Sequence, residues 1–263
     1  VNAFEVVPGD PSSSVLLHVP HSSRSIPDDV RAVIVLDDDA LAAELDAMTD
    51  AFTDRLAERA AALSGCRPWL FANRRSRLVV DPERFPDDRE EMNAVGMGAV
   101  YTRTSGGAVL RDPAPDLIDR FFEPYAAALT ELVQERLDST GAATILDVHS
   151  FPVTPLPYEL RADGPRPELC LGTDVTHTPS ALIDAARQHL APVTPTGDVG
   201  LDSPFGGTYV PLRHYGTDTR VRSLMLEVRR DLLSHSPRVA DDAGIDRLAT
   251  GVAALVDHLQ EIA

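Results

Sequence analysis

Short apolar runs cut off by proline alternate along this chain with longer stretches of helical periodicity. Ser14 to Val19 (SVLLHV) is continuously apolar and stops at Pro20, the pattern of a buried strand. Across 40–63, Leu41, Leu45, Met48, Phe52 and Leu56 recur at helical spacing and predict one helix with an apolar stripe. Ser76 to Asp81 (SRLVVD), ended by Pro82, reads as a second strand. The stretch from there to about 112 is too long to be a simple connector. Leu117, Phe121, Tyr125, Leu129 and Leu132 predict a helix over 115–138. Thr144 to His149 (TILDVH) is the clearest strand, closed by Pro152. Leu169 to Thr173 forms another, followed by a helix over 180–190, a strand at Ser223 to Val228 and a closing helix over 241–262. Strands alternating with helices imply a single α/β domain with a mostly parallel central sheet. In such sheets reactive groups collect beyond the carboxyl ends of the strands.

Composition narrows the partners. The 263 residues are 43% hydrophobic, sufficient for a real core, and carry a net charge of −17. That charge disfavours nucleic acid, whose binding rests on Lys and Arg neutralising phosphates, and it repels anionic lipid. An acidic metabolite would need a local arginine pocket to override the overall sign. Cys66 and Cys170 form no CxxC pair, which fits a reducing, cytoplasmic setting. No run reaches the roughly 20 apolar residues of a membrane span, and no charged segment followed by an apolar one opens the chain.

Three predicted strands end in groups that bind metals. The first ends in His18-Val-Pro-His21-Ser22, the second in Asp147-Val-His149-Ser150, and the third carries Glu227. By strand alternation Ile145, Asp147 and His149 share one side, with His149 nearest the crevice. Two histidines from separate strands and one carboxylate would leave a zinc ion an open position, as catalytic sites do. A lone histidine at a strand end is more often structural, and neither HExxH nor paired CxxC is present. Nor is there a G-x-S-x-G elbow, which disfavours a serine hydrolase.

Six segments in order carry a resemblance: HVPHSSRSIP (18–27), MTDAFTDRL (48–56), SRLVVDPERFPDD (76–88), ILDVHSFP (145–152), SPFGGTYVPLRHYG (203–216) and LMLEVRRDL (224–232). Together they resemble the N-formylglutamate amidohydrolase family, which is similar in fold to zinc carboxypeptidases and aspartoacylases. The resemblance implies an α/β fold with a mixed, mostly parallel sheet flanked by helices. It implies a zinc-dependent enzyme that cleaves N-formyl-L-glutamate, or a closely related N-acyl acidic amino acid, as in histidine degradation. His21 and His149 are implied as metal ligands. Asp50 is implied as the third, with Glu44 and Asp46 as substitutes. In one continuous helix Asp50 would lie opposite the apolar stripe; a break near Met48-Thr49, with Thr49 capping a new helix, would let it reach the metal.

Glu227 is implied as general base toward water and then acid toward the leaving nitrogen. Its bland alternative is an ion pair with Arg77 or Arg213, because a buried carboxylate is costly without a partner. Arg84 is implied as the clamp for a substrate carboxylate, with Arg77 and Arg213 as further candidates. Tyr209 and His214 are expected to hydrogen-bond substrate, and Gly206-Gly207 to form a turn that closes over the site. Here the family's VD-L-N-R segment reads Asp81-Pro82-Glu83-Arg84, with Glu83 in place of Asn, which puts the substrate's identity in question. The competing readings are a metallo-carboxypeptidase or amidase of other acyl preference, and a non-catalytic protein that kept the pocket.

Overall fold

The computed structural model describes residues 2–159 and 162–261. Its core is a seven-stranded mixed sheet in the order β1-β3-β2-β4-β7-β5-β6. The strands are β1 (Phe4–Val7), β2 (Val15–Val19), β3 (Trp69–Asn73), β4 (Ala143–Phe151), β5 (Leu169–Gly172), β6 (Val199–Leu201) and β7 (Val221–Arg229). The central strands β3, β2, β4 and β7 run parallel to one another, while β1 and β5 attach antiparallel. A small hairpin, β8 (Ser234–Ser236) with β9 (Val239–Ala240), lies outside this sheet.

Helices cover both faces, and strand alternation divides β4 between them. After the single turn α1 (Asp28–Arg31) come α2 (Asp38–Met48), α3 (Thr53–Leu63), α4 (Glu123–Thr140), α5 (Ser180–Leu190) and α6 (Asp242–Glu261). Leu146 and Val148 of β4 join the cluster built with α3, α5 and α6. Ala143 and Ile145 face the other way, onto Tyr125, Leu129 and Val133 of α4. Asp147 and His149 therefore lie on the α4 side, at the carboxyl end of the strand.

Three expectations need correction. Ser76 to Asp81 is not a strand: its turns close through Val79 N–H donating to Ser76 O and Leu78 N–H to the Ser76 hydroxyl. Leu78, Val79 and Val80 enter three different apolar clusters. A strand, with only two faces, cannot direct successive side chains three ways. The continuous helix over 40–63 is broken after Met48, and Phe52 takes the left-handed conformation (φ 67°) before α3 begins. Thr49 ends α2 rather than capping α3; the Thr53 hydroxyl instead donates to Asp50 O. The helix over 115–138 opens with a wider turn, Ile118–Phe122, before α4, where Pro124 lacks the N–H a regular turn would use.

The strands β1, β3 and β6 are additions that the apolar runs did not predict. Leu146 is fully buried between the sheet and its helices. Leu146→Ala should lower unfolding free energy by about 2–5 kcal/mol, measured by urea denaturation.

Candidate metal centre

The site lies beyond the carboxyl ends of β2, β4 and β7, in a cleft of about 760 Å³. His21 follows the last residues of β2 directly. Its turn is held by Asn73 of β3, whose side-chain amide donates to Pro20 O at 2.9 Å. The backbone N–H of Asp50 donates to His21 O at 3.0 Å, so the gap between α2 and α3 is tied to the end of β2. That tie, with the helix break, turns Asp50 inward to 3% exposure. His149 arrives from β4, with Glu227 opposite it in the parallel register with β7.

Three ligand atoms converge. His21 Nδ1 and His149 Nδ1 lie 3.3 Å apart, and Asp50 Oδ2 is 3.1 Å from His149 Nδ1 and 3.7 Å from His21 Nδ1. Tetrahedral zinc with bonds near 2.0–2.1 Å spaces its ligand atoms by about 3.3–3.4 Å. These residues therefore fit such an ion.

The far side of each imidazole faces a buried carboxylate. His21 Nε2–H donates to Asp81 Oδ1 at 2.9 Å, and His149 Nε2 lies 3.1 Å from Asp147 Oδ1. Carboxylates behind metal-ligating histidines fix ring orientation and raise ligand basicity. Asp81 is held in turn by Arg77 at 2.6 Å and by the Tyr101 hydroxyl at 2.6 Å. Asp147 also accepts from His18 Nδ1 at 2.8 Å, while the Tyr125 hydroxyl and His18 Nε2 share a hydrogen bond of 2.5 Å. His18 thus bridges Asp147 and Tyr125 and buttresses the site.

The electrostatics fit a cation. Burial opposes protonation of His149, but Glu83, Asp147 and Asp50 outweigh it and hold the imidazole well above its ordinary pKa. Burial would raise the Asp50 carboxyl, yet the hydrogen bond with His149 and the nearby His21 imidazole pull it below the usual range. Glu227 behaves oppositely. Burial pushes it up to about 8, helped by Asp50 and resisted by His149. Among the described residues its Oε2 has no hydrogen-bond partner, and no ion pair joins it to Arg77 or Arg213.

The other expected residues are distributed unevenly. Glu44 is taken by Ser105, and Asp46 by Arg24 and Arg238, so neither joins the cluster. Arg77 grips Asp81; Arg84 lies 3.7 Å from Asp81 and 3.5 Å from Glu90. Arg213 lines the cleft while exposed, with no ion pair or hydrogen bond among the described residues. Tyr209 lines the cleft too, and its backbone N–H donates to Asp147 at 3.3 Å. His214 does not: it is buried beside Asp218, at 3.8 Å. The turn at Gly206-Gly207 lines the cleft, followed by a segment pinned to β7, where the Ser223 hydroxyl bonds to Tyr209 O and the Thr208 hydroxyl.

Sequence reasoning missed Asp81 and Arg230. No spacing signal links Asp81 to His21, 60 residues away. Arg230 lies 3.4 Å from Asp50 and donates to Ala47 O at the end of α2. Its place three residues after Glu227 was the available clue.

The N-formylglutamate amidohydrolase family model matches residues 13–234. The chain belongs to that family. As a member it is a hydrolase of the amidohydrolase type. A crystal structure of N-formylglutamate amidohydrolase from Ralstonia eutropha JMP134 is similar over 100% of this chain and 98% of that one, at 24% identity and a TM-score of 0.81. A gene product of Agrobacterium tumefaciens is similar at 21% identity and a TM-score of 0.72, covering 100% of this chain and 96% of the other. A looser likeness reaches a metallo-carboxypeptidase from Burkholderia cenocepacia, at 15% identity and a TM-score of 0.40 over 98% of this chain and 60% of that one. A comparison with curated proteins finds no match.

Asp81→Asn should weaken divalent-cation binding by about 10–100-fold, read by chelator competition. Unchanged affinity would remove Asp81 from the support of His21.

Proposed function

We propose that this chain is one metallohydrolase domain in which His21, His149 and Asp50 hold a zinc ion, and that it cleaves the amide of a small N-acyl amino acid, as N-formylglutamate amidohydrolases do. The observation that carries the reading is the meeting of two Nδ1 atoms and one carboxylate oxygen at zinc-like spacing, with Glu227 across the strand pairing from His149. When bound there, zinc would supply Lewis-acid polarisation of the scissile carbonyl and acidification of water.

This chain's residues do the rest. Asp81 keeps the His21 imidazole aimed at the cluster, and Asp147 lies 3.1 Å from His149 Nε2 without a hydrogen bond to it. Glu227 takes a proton from the attacking water at its carboxylate and returns it to the departing nitrogen, so the amine leaves neutral. Its raised pKa suits both roles near neutral pH. Arg213 is free to take a substrate carboxylate, whereas Arg77 and Arg84 first serve to orient Asp81 and neutralise it. Tyr209 adds an aromatic wall against His18, with ring centroids 5.1 Å apart.

Zinc content of the purified protein should approach one ion per chain. It should fall toward zero in a His21→Ala, His149→Ala double variant, by elemental analysis; undiminished zinc would rule out this centre. Glu227→Gln should keep its zinc while turnover on an N-formyl amino acid drops by about 10²–10⁴-fold. Wild-type turnover in that variant would assign the base elsewhere.

A further inference from the structure

The wall of the cleft next to the metal-binding set carries a carboxylate to which the mechanism assigns no step. Glu83 Oε2 lies 3.2 Å from His149 Nε2 and 3.8 Å from His21 Nδ1, so the side chain borders the reacting centre. Its Oε1 is 3.5 Å from His18 Nδ1, but that nitrogen is already bonded to Asp147. Among the described residues Oε1 is a buried acceptor with no hydrogen-bond donor. Its backbone N–H donates to Asp81 Oδ1 at 3.2 Å, which fixes where the side chain starts.

The charges around it point the same way. Asp50, Asp81, Asp147, Glu83 and Glu227 line the cleft against Arg77, Arg84 and Arg230. With every charged side chain of the lining counted, nine carboxyl groups face five arginines, so an added dication still leaves the acidic groups in excess. Of the arginines lining the cleft, Arg213 alone among the described residues lacks a carboxylate partner. One substrate carboxylate therefore has a cation to meet. A second, brought to the centre beside Glu83, would meet a like charge in a buried site.

Resting on the hydrolase reading above, we propose that Glu83 makes this cleft select N-acyl amino acids whose side chain ends in a hydrogen-bond donor, carboxamide or cationic, and reject those ending in a second carboxylate. The donor meets the part of the Glu83 carboxylate that the cleft leaves accessible, the side chain being 15% exposed. The amino acid's own carboxylate goes to Arg213.

The test compares N-formyl-L-glutamine with N-formyl-L-glutamate on the zinc-loaded full chain, since the two differ in charge and hardly in shape. Wild type should favour the glutamine compound by about tenfold or more in kcat/KM, as like-charge juxtaposition requires. Glu83→Gln should bring that ratio close to one at unchanged zinc content. Affinities of free glutamine and glutamate, measured by calorimetry, should show the same preference. A wild-type preference for the glutamate compound, or a ratio unmoved by Glu83→Gln, overturns the proposal; so does loss of zinc in that variant, which would make Glu83 a ligand. If neither compound is hydrolysed, the hydrolase reading fails, while the product affinities still decide for or against Glu83.

Discussion

The site depends on five ionisable side chains, His21, His149, Asp50, Asp81 and Asp147, being held together out of water, where each alone would be costly to bury. Contact between opposite charges makes this tolerable. Asp81 lies between His21 and Arg77, Asp147 between His18 and His149, and Asp50 faces the His21 and His149 imidazoles and Arg230. The arrangement keeps an excess of negative charge around two nitrogens aimed at one point. A cation there would relieve that excess, so the same interactions that hold the rings also prepare them for metal.

The sheet makes this meeting possible. Parallel pairing brings the carboxyl ends of β2, β4 and β7 side by side, so residues far apart in sequence emerge on one rim. The alternation that sends Leu146 and Val148 into one apolar layer sends Asp147 and His149 to the other. The helix break adds Asp50, which the sheet alone could not bring to this rim.

Legibility in the sequence followed the range of the physics. The strands at Val15–Val19, Ala143–Phe151 and Val221–Arg229 were readable because continuous burial leaves an apolar run. The edge strand Phe4–Val7 was not, since its residues are mostly exposed and its alternation is faint. SRLVVD imitates a strand, because composition records burial without recording direction. The placement of His21, His149 and Asp50 together followed motifs that share an order in the family. The carboxylate behind His149 was readable by alternation along TILDVH, but the one behind His21 was not. Arg84 was expected as a free clamp, yet it lies near Asp81 and Glu90, contacts that only the folded chain creates.

Leu78, Val79 and Val80 each anchor into a different apolar cluster immediately before Asp81 and Glu83. A backbone moored from three directions has little freedom to drift when a neighbouring side chain is exchanged. That strip of wall can thus accept a new group at 83 without disturbing the carboxylate at 81 that steadies the imidazole. The residue that holds the His21 ring and the residue proposed to choose the substrate sit two positions apart on one mount, so the second can change while the first stays in place.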